Sequence, residues 1–140
     1  MNDDILVPVS PGEVLDKITI LRIKTARILD PSKLVNVRLE LELLERTWRD
    51  SRFAAADVAR EERALQEVNE RLWDIEDRIR EKEARQTFDR DFIELARAVY
   101  HSNDERAAIK KRINSALGSR LVEEKSYQPY RAAPRGPDAP

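Results

Sequence analysis

Apolar residues recur at three- and four-residue intervals along four stretches of the chain, and each stretch predicts an α-helix. The densest lies in Pro8–Lys24. Ser10 can cap a helix there, Pro11 fits its first position, and Glu13 can reach back to close a capping box. Val14, Leu15, Ile18, Leu21 and Ile28 then follow helical spacing, with Ile20 and Ile23 pointing the other way. A helix apolar on both sides needs neighbours on both, so this one, from Pro11 to about Leu29, is expected at the centre of the fold. Asp30 and Pro31 end it and start a second helix reaching about Arg52, with Leu34, Val37, Leu41, Leu44 and Trp48 in one stripe. A third, from about Asp57 to Arg85, carries Val58, Leu65, Val68, Leu72, Ile75 and Ile79. Asp89 caps a fourth that runs to Leu117, where Gly118 is a good stop. Its stripe of Phe92, Leu95, Val99, Ile109, Ile113 and Leu117 is interrupted by Ser102 and Arg106.

The short connections make successive helices antiparallel neighbours. The expected fold class is therefore all-α: an antiparallel four-helix bundle of two helical hairpins with coiled-coil-like seams, forming one domain over residues 1–127. Ile5–Val9 is broken by Pro8 and reads as extended, laid across the bundle or stapled to Val14. Residues 128–140 carry four prolines and no apolar period, and read as a disordered tail. Ile20 and Ile23 need a cover, which the termini or a second subunit could supply; the expectation leans to a homodimer.

Composition narrows the chemistry. Charged residues make up 38% of 140 and glycines number only 3, a balance that fits long solvated helices better than sheets. The net charge of −1 gives no field for nucleic acid. The absence of cysteine removes disulfides and thiolate sites, and the lone His101 removes any multi-histidine metal centre. The beginning of the chain reads as neither a secretory leader nor a membrane span. The expectation is a cytoplasmic protein with no nucleic-acid partner, no membrane span, no metal and no cofactor.

A polar stripe runs beside the apolar one on several helices. Asn69, Trp73, Glu76 and Arg80 share a face of the third helix. Tyr100, Asn103, Lys110 and Asn114 share a face of the fourth, with Arg106 close by. The first helix adds Glu13, Lys17 and Lys24, and the second Asn36 and Glu40. If these faces converge, Lys17, Trp73, Glu76, Tyr100, Asn103, Arg106 and Lys110 line one pocket suited to an anionic or sugar-like ligand: cations hold the charge, amides orient, and the aromatic rings form flat walls. Arg106 stands where the seam calls for an apolar residue, and Glu76 is its expected partner. The bland alternative is that the amides set helix register and the charges form solvated pairs. Two acidic pairs, Glu13 with Asp16 and Glu76 with Asp77, resemble the magnesium-binding motifs of all-α nucleoside triphosphate pyrophosphohydrolases, although only the first has the motif spacing.

A closer resemblance covers Ile5 to Tyr127. PVSPGEVLDKITILRIK, ERLWDIEDRIR and FIELARAVYHSNDERAAIKKRINSALGSRLVEEKSY resemble a family of short bacterial proteins classed only as a domain of unknown function. The motif positions are Ser10, Gly12, Glu13, Asp16, Lys17 and Lys24; Trp73 and Glu76; Tyr100, Asn103, Asp104, Arg106, Lys110 and Asn114; and Glu123, Lys125 and Tyr127. The resemblance implies a setting among surface-polysaccharide and lipopolysaccharide genes. Two functions follow. One is an accessory protein of surface-glycan assembly that binds a partner protein or an anionic sugar intermediate. The other is a small all-α enzyme acting on a phosphorylated or carboxylated molecule such as a nucleotide or sugar phosphate, with Glu76 as candidate acid/base. Whether the polar stripes enclose a cavity separates the two.

Overall fold

The computed structural model describes residues 3–130. Helix α1 spans Pro11–Arg27, α2 Pro31–Arg49, α3 Ala59–Ala84 and α4 Arg90–Ala116, and no strand occurs among the described residues. The ends obey local chemistry. The Ser10 hydroxyl accepts from Glu13 N at 3.2 Å, the Asp30 carboxylate from Ser32 N at 2.9 Å and the Asp89 carboxylate from Phe92 N at 3.0 Å. Gly118 closes α4 at φ 65, the left-handed conformation that glycine adopts freely. The capping box at Ser10 is only half made, because the Glu13 carboxylate turns away to Lys110.

Helix α1 is the hub. It packs against each of the other three helices, whereas α2 packs along α1 alone. The core therefore forms where α1, α3 and α4 meet, around Leu15, Val58, Leu65, Val68, Ile109 and Ile113, with Trp48 of α2 at its edge. Ion pairs fix the directions. Arg71 of α3 meets Glu105 of α4 while Lys82 meets Asp89, so these two run antiparallel. Gly12 and Asp16 of α1 meet Asn114 and Arg106, so α1 also runs antiparallel to α4.

The second apolar side of α1 is largely covered by the chain's own helices. Ile23 is buried, and Ile20 is partly covered in a groove shared with Leu72 and Trp73 of α3. Exposed apolar side chains lie elsewhere: Val35, Leu39 and Leu43 down the outer face of α2, Leu29 before it, and Ile5 and Leu6 in the extended N-terminal arm. That arm does not lie across the bundle. Of the expected tail, residues 131–140 fall outside the described residues; Tyr130 packs its ring against Tyr100 and His101 at 5.1 and 4.7 Å.

Candidate functional site

The interruption in the α4 seam marks the place where three helices present polar groups to one another. Asp16, completely buried on α1, receives Nε of Arg106 at 2.9 Å and Nη2 at 2.5 Å, a two-point clamp from α4. Asn69 of α3 donates to the same carboxylate at 2.9 Å and to Thr19 Oγ1 at 3.0 Å, and Thr19 donates to the carbonyl of Asp16 at 2.8 Å. Among the described residues no buried side-chain polar atom is left without a partner, so the broken seam carries no desolvation penalty of an orphaned group. Hydrogen bonding to Asp16 pushes the Arg106 guanidinium up, against burial, and it stays charged.

One turn along α4, Lys110 is nearly buried. Its ammonium donates to Glu13 at 2.9 Å and to Glu123 at 3.0 Å, with Asp16 at 4.0 Å. Burial pulls this lysine down, but the hydrogen bonds and charges of the carboxylates around it outweigh burial and hold it above its ordinary value. Glu123 belongs to an irregular strap, residues 119–130, that runs back along α4. The hydrogen bond from Lys110 holds the Glu123 carboxyl below its usual range, with Lys125 and Arg106 adding to it. At the other end of the strap the Tyr130 ring closes on Tyr100 and His101.

Three depressions adjoin this network. A groove of about 350 Å³ between α1, α3 and α4 is lined by Ile20, Lys24, Trp73, Glu76, Asn103 and Arg106, among others. A small basic pocket of about 260 Å³ is lined by Glu13, Asn103, Arg106, Lys110, Glu123 and Lys125. A cleft of about 690 Å³ between α4 and the strap is walled by Tyr100, Tyr127 and Tyr130, with Asn103, Asp104 and Lys125 as polar groups. Asn103 borders all three, and its amide makes no hydrogen bond among the described residues.

The seven residues expected to line one pocket are thus distributed. Trp73, Glu76, Asn103 and Arg106 share the first groove. Asn103, Arg106 and Lys110 share the basic pocket, and Tyr100 joins Asn103 in the aromatic cleft. Lys17 stands apart, over Glu13 at 4.0 Å, in a shallow depression with the N-terminal arm and the start of the strap. The expected Arg106–Glu76 pair is not made. Arg106 goes to Asp16, and Glu76 sits half-exposed on the groove rim, paired with Arg80 four residues on. Asp16 was the better partner because it lies directly across the α1–α4 contact, where the guanidinium reaches it without leaving the seam. The acidic pair Glu13 and Asp16 is engaged by Lys110 and Arg106, and among the described residues no group of three or more His, Cys, Asp or Glu is arranged to hold a metal ion. Sequence reasoning passed over Thr19, which follows Asp16 by three on the same face, and over Tyr130, hidden among the prolines.

Comparison with known proteins bears directly on which chain positions belong together. The model of a family of unknown function, DUF6165, matches residues 5–138. The chain belongs to that family. No curated protein and no solved structure matches it. The DUF6165 match runs past Tyr127, where the resemblance read from the sequence ended, into the proline-rich stretch, so the strap through Tyr130 lies within the matched span. The basic pocket and the aromatic cleft are built wholly within the matched span.

Proposed function

We propose that this DUF6165 chain is a binding protein that holds a polar, sugar-like small molecule in the cleft between α4 and the strap, as an accessory to surface-glycan assembly in the cytoplasm. The observation that carries the reading is the lining of that cleft. Three tyrosine rings can stack on the apolar faces of a sugar, while Asn103, Asp104 and Lys125 offer a donor–acceptor amide, a carboxylate and an ammonium to its hydroxyls. Its size, about 690 Å³, suits one or two sugar units. The glycan setting rests on the family resemblance alone.

Binding is favoured over catalysis because the sheltered carboxylate is spent. Asp16 is locked by Arg106 and Asn69, and Glu76 stands half-exposed beside Arg80 on a different groove. An enzyme needs an acid/base free to exchange a proton where water is excluded. A second copy of the chain is part of the proposal, covering Val35, Leu39 and Leu43 on α2; light scattering that finds only monomer at micromolar concentration removes it.

A thermal-shift screen with nucleotide sugars, sugar phosphates and plain sugars tests the cleft. At least one class should raise the Tm, and Tyr127→Ala should weaken that ligand several-fold, as expected for losing a stacking contact of about 0.5–1.5 kcal/mol. A response unchanged in Tyr127→Ala moves the ligand out of the cleft.

A further inference from the structure

We propose that the basic pocket beside the cleft is a phosphoryl subsite, and that the Glu123 carboxylate occupies it as the chain's own stand-in for the phosphate or diphosphate of a sugar ester. The inference rests on the cleft reading above and adds the ligand's charged half. Asn103 and Lys125 border both the cleft and the pocket, so one molecule can reach from one to the other.

Charge balance points to an exchangeable anion. Arg106, Lys110, Lys125 and, at the outer edge of Glu13, Lys17 face Asp16, Glu13 and Glu123, so four cations meet three carboxylates. With Glu123 withdrawn, the excess of positive charge grows to two. Of the three carboxylates only Glu123 can leave at small cost. The Asp16 side chain is 1% exposed and clamped at two points, and Glu13 is fixed on a helix between Lys110 and Lys17. Glu123 is 44% exposed on an irregular segment, and its side chain can swing into water while the strap stays in place.

The donors left for an incoming anion are specific. A guanidinium has five N–H groups, and Asp16 takes two of those on Arg106; no other hydrogen bond to Arg106 forms among the described residues. Lys110 would be released by Glu123, and the Asn103 amide is unspent. A ligand carboxylate would replace Glu123 charge for charge and gain nothing from the swap. A phosphate monoester or diphosphate brings more charge and more acceptor oxygens to the same cluster, and so can displace the internal anion.

The test is calorimetric titration of the full chain and of Glu123→Gln with inorganic pyrophosphate. Removing the internal competitor should tighten pyrophosphate binding about tenfold, as when a blocked state ceases to dominate. Lys125→Ala should weaken it in both backgrounds without changing the Tm. In the parent, pyrophosphate should move the Glu123 amide resonance, a readout independent of how well Glu123→Gln folds. A sugar phosphate or nucleotide sugar should bind more tightly than either pyrophosphate or the unphosphorylated sugar. Equal affinity of parent and Glu123→Gln, or an unmoved Glu123 resonance, overturns the subsite. If plain sugars still respond to Tyr127→Ala in that case, the cleft stands and only the subsite falls. If pyrophosphate gains from Glu123→Gln while no sugar binds, the subsite stands and the cleft reading falls.

Discussion

Replacing Arg106 by alanine should destabilise the chain by about 3–5 kcal/mol, the range for breaking a buried ion pair from one side. The substitution removes both N–H groups that clamp Asp16, whose carboxylate is completely buried. What remains to Asp16 is one amide hydrogen bond from Asn69 and the Lys110 ammonium at 4.0 Å. Lys110 cannot simply move in, because Glu13 and Glu123 hold it. In a chain of this size such a loss corresponds to a Tm lower by about 10 °C or more. The reverse change, Asp16→Asn, should be milder, since the Arg106 side chain is 28% exposed and water can reach it. The double variant Asp16→Asn with Arg106→Ala should be more stable than Arg106→Ala alone, because no unpaired carboxylate is left buried. Denaturant unfolding of the four proteins measures the cycle. If Arg106→Ala unfolds within about 1 kcal/mol of the parent, water screens the pair and it does not organise the packing of α1 against α4.

How far the sequence revealed this arrangement depended on the range of the interaction. The four helices, their order and nearly all their ends were legible, because caps such as Ser10, Asp30 and Asp89 act over two or three residues. The central place of α1 was legible from its two apolar sides. The polar interruption at Ser102 and Arg106 announced that something on another helix must answer it. Which residue answers it was not legible. Asp16 and Glu76 both carried a carboxylate at the edge of a seam, and the choice between them depends on how α1, α3 and α4 cross, a long-range property without a local signal. Periodicity also could not show that no other helix of the chain packs on the outer stripe of α2, since Val35, Leu39 and Leu43 have the spacing of a buried face. The course of the strap was not legible for a different reason: an irregular segment held by ion pairs to Lys110 and Lys111 and by a ring cluster has no period to read.

Gly12→Ala should also destabilise the chain, and here two effects of opposite sign compete. Alanine in place of glycine within a helix ordinarily stabilises by up to about 1 kcal/mol, through the unfolded state and helix propensity. At Gly12, however, an added Cβ would stand 2.7 Å from the carbonyl oxygen of Lys110 and 2.8 Å from Oδ1 of Asn114. The first is helix backbone and cannot rotate aside. The second is the acceptor of the Gly12 N–H at 2.8 Å, so moving it breaks the hydrogen bond that ties the backbone of Gly12 to Asn114 near the end of α4. Forced displacement in a packed contact costs about 1–3 kcal/mol, and a lost hydrogen bond adds about 0.5–1.5 kcal/mol. The steric side wins, with a net loss of about 1–3 kcal/mol expected. The displacement should also reach the polar network, because Glu13 and Asp16 follow Gly12 on the same helix and their distances to Lys110 and Arg106 depend on how closely α1 approaches α4. Adding Asn114→Ala to Gly12→Ala relieves one clash but not the backbone one, so it should not restore stability. Denaturant unfolding of the single and double variants decides the matter. A Gly12→Ala chain as stable as the parent would mean that the two helices do not come this close, and the spacing on which the Asp16 clamp depends would have to be redrawn.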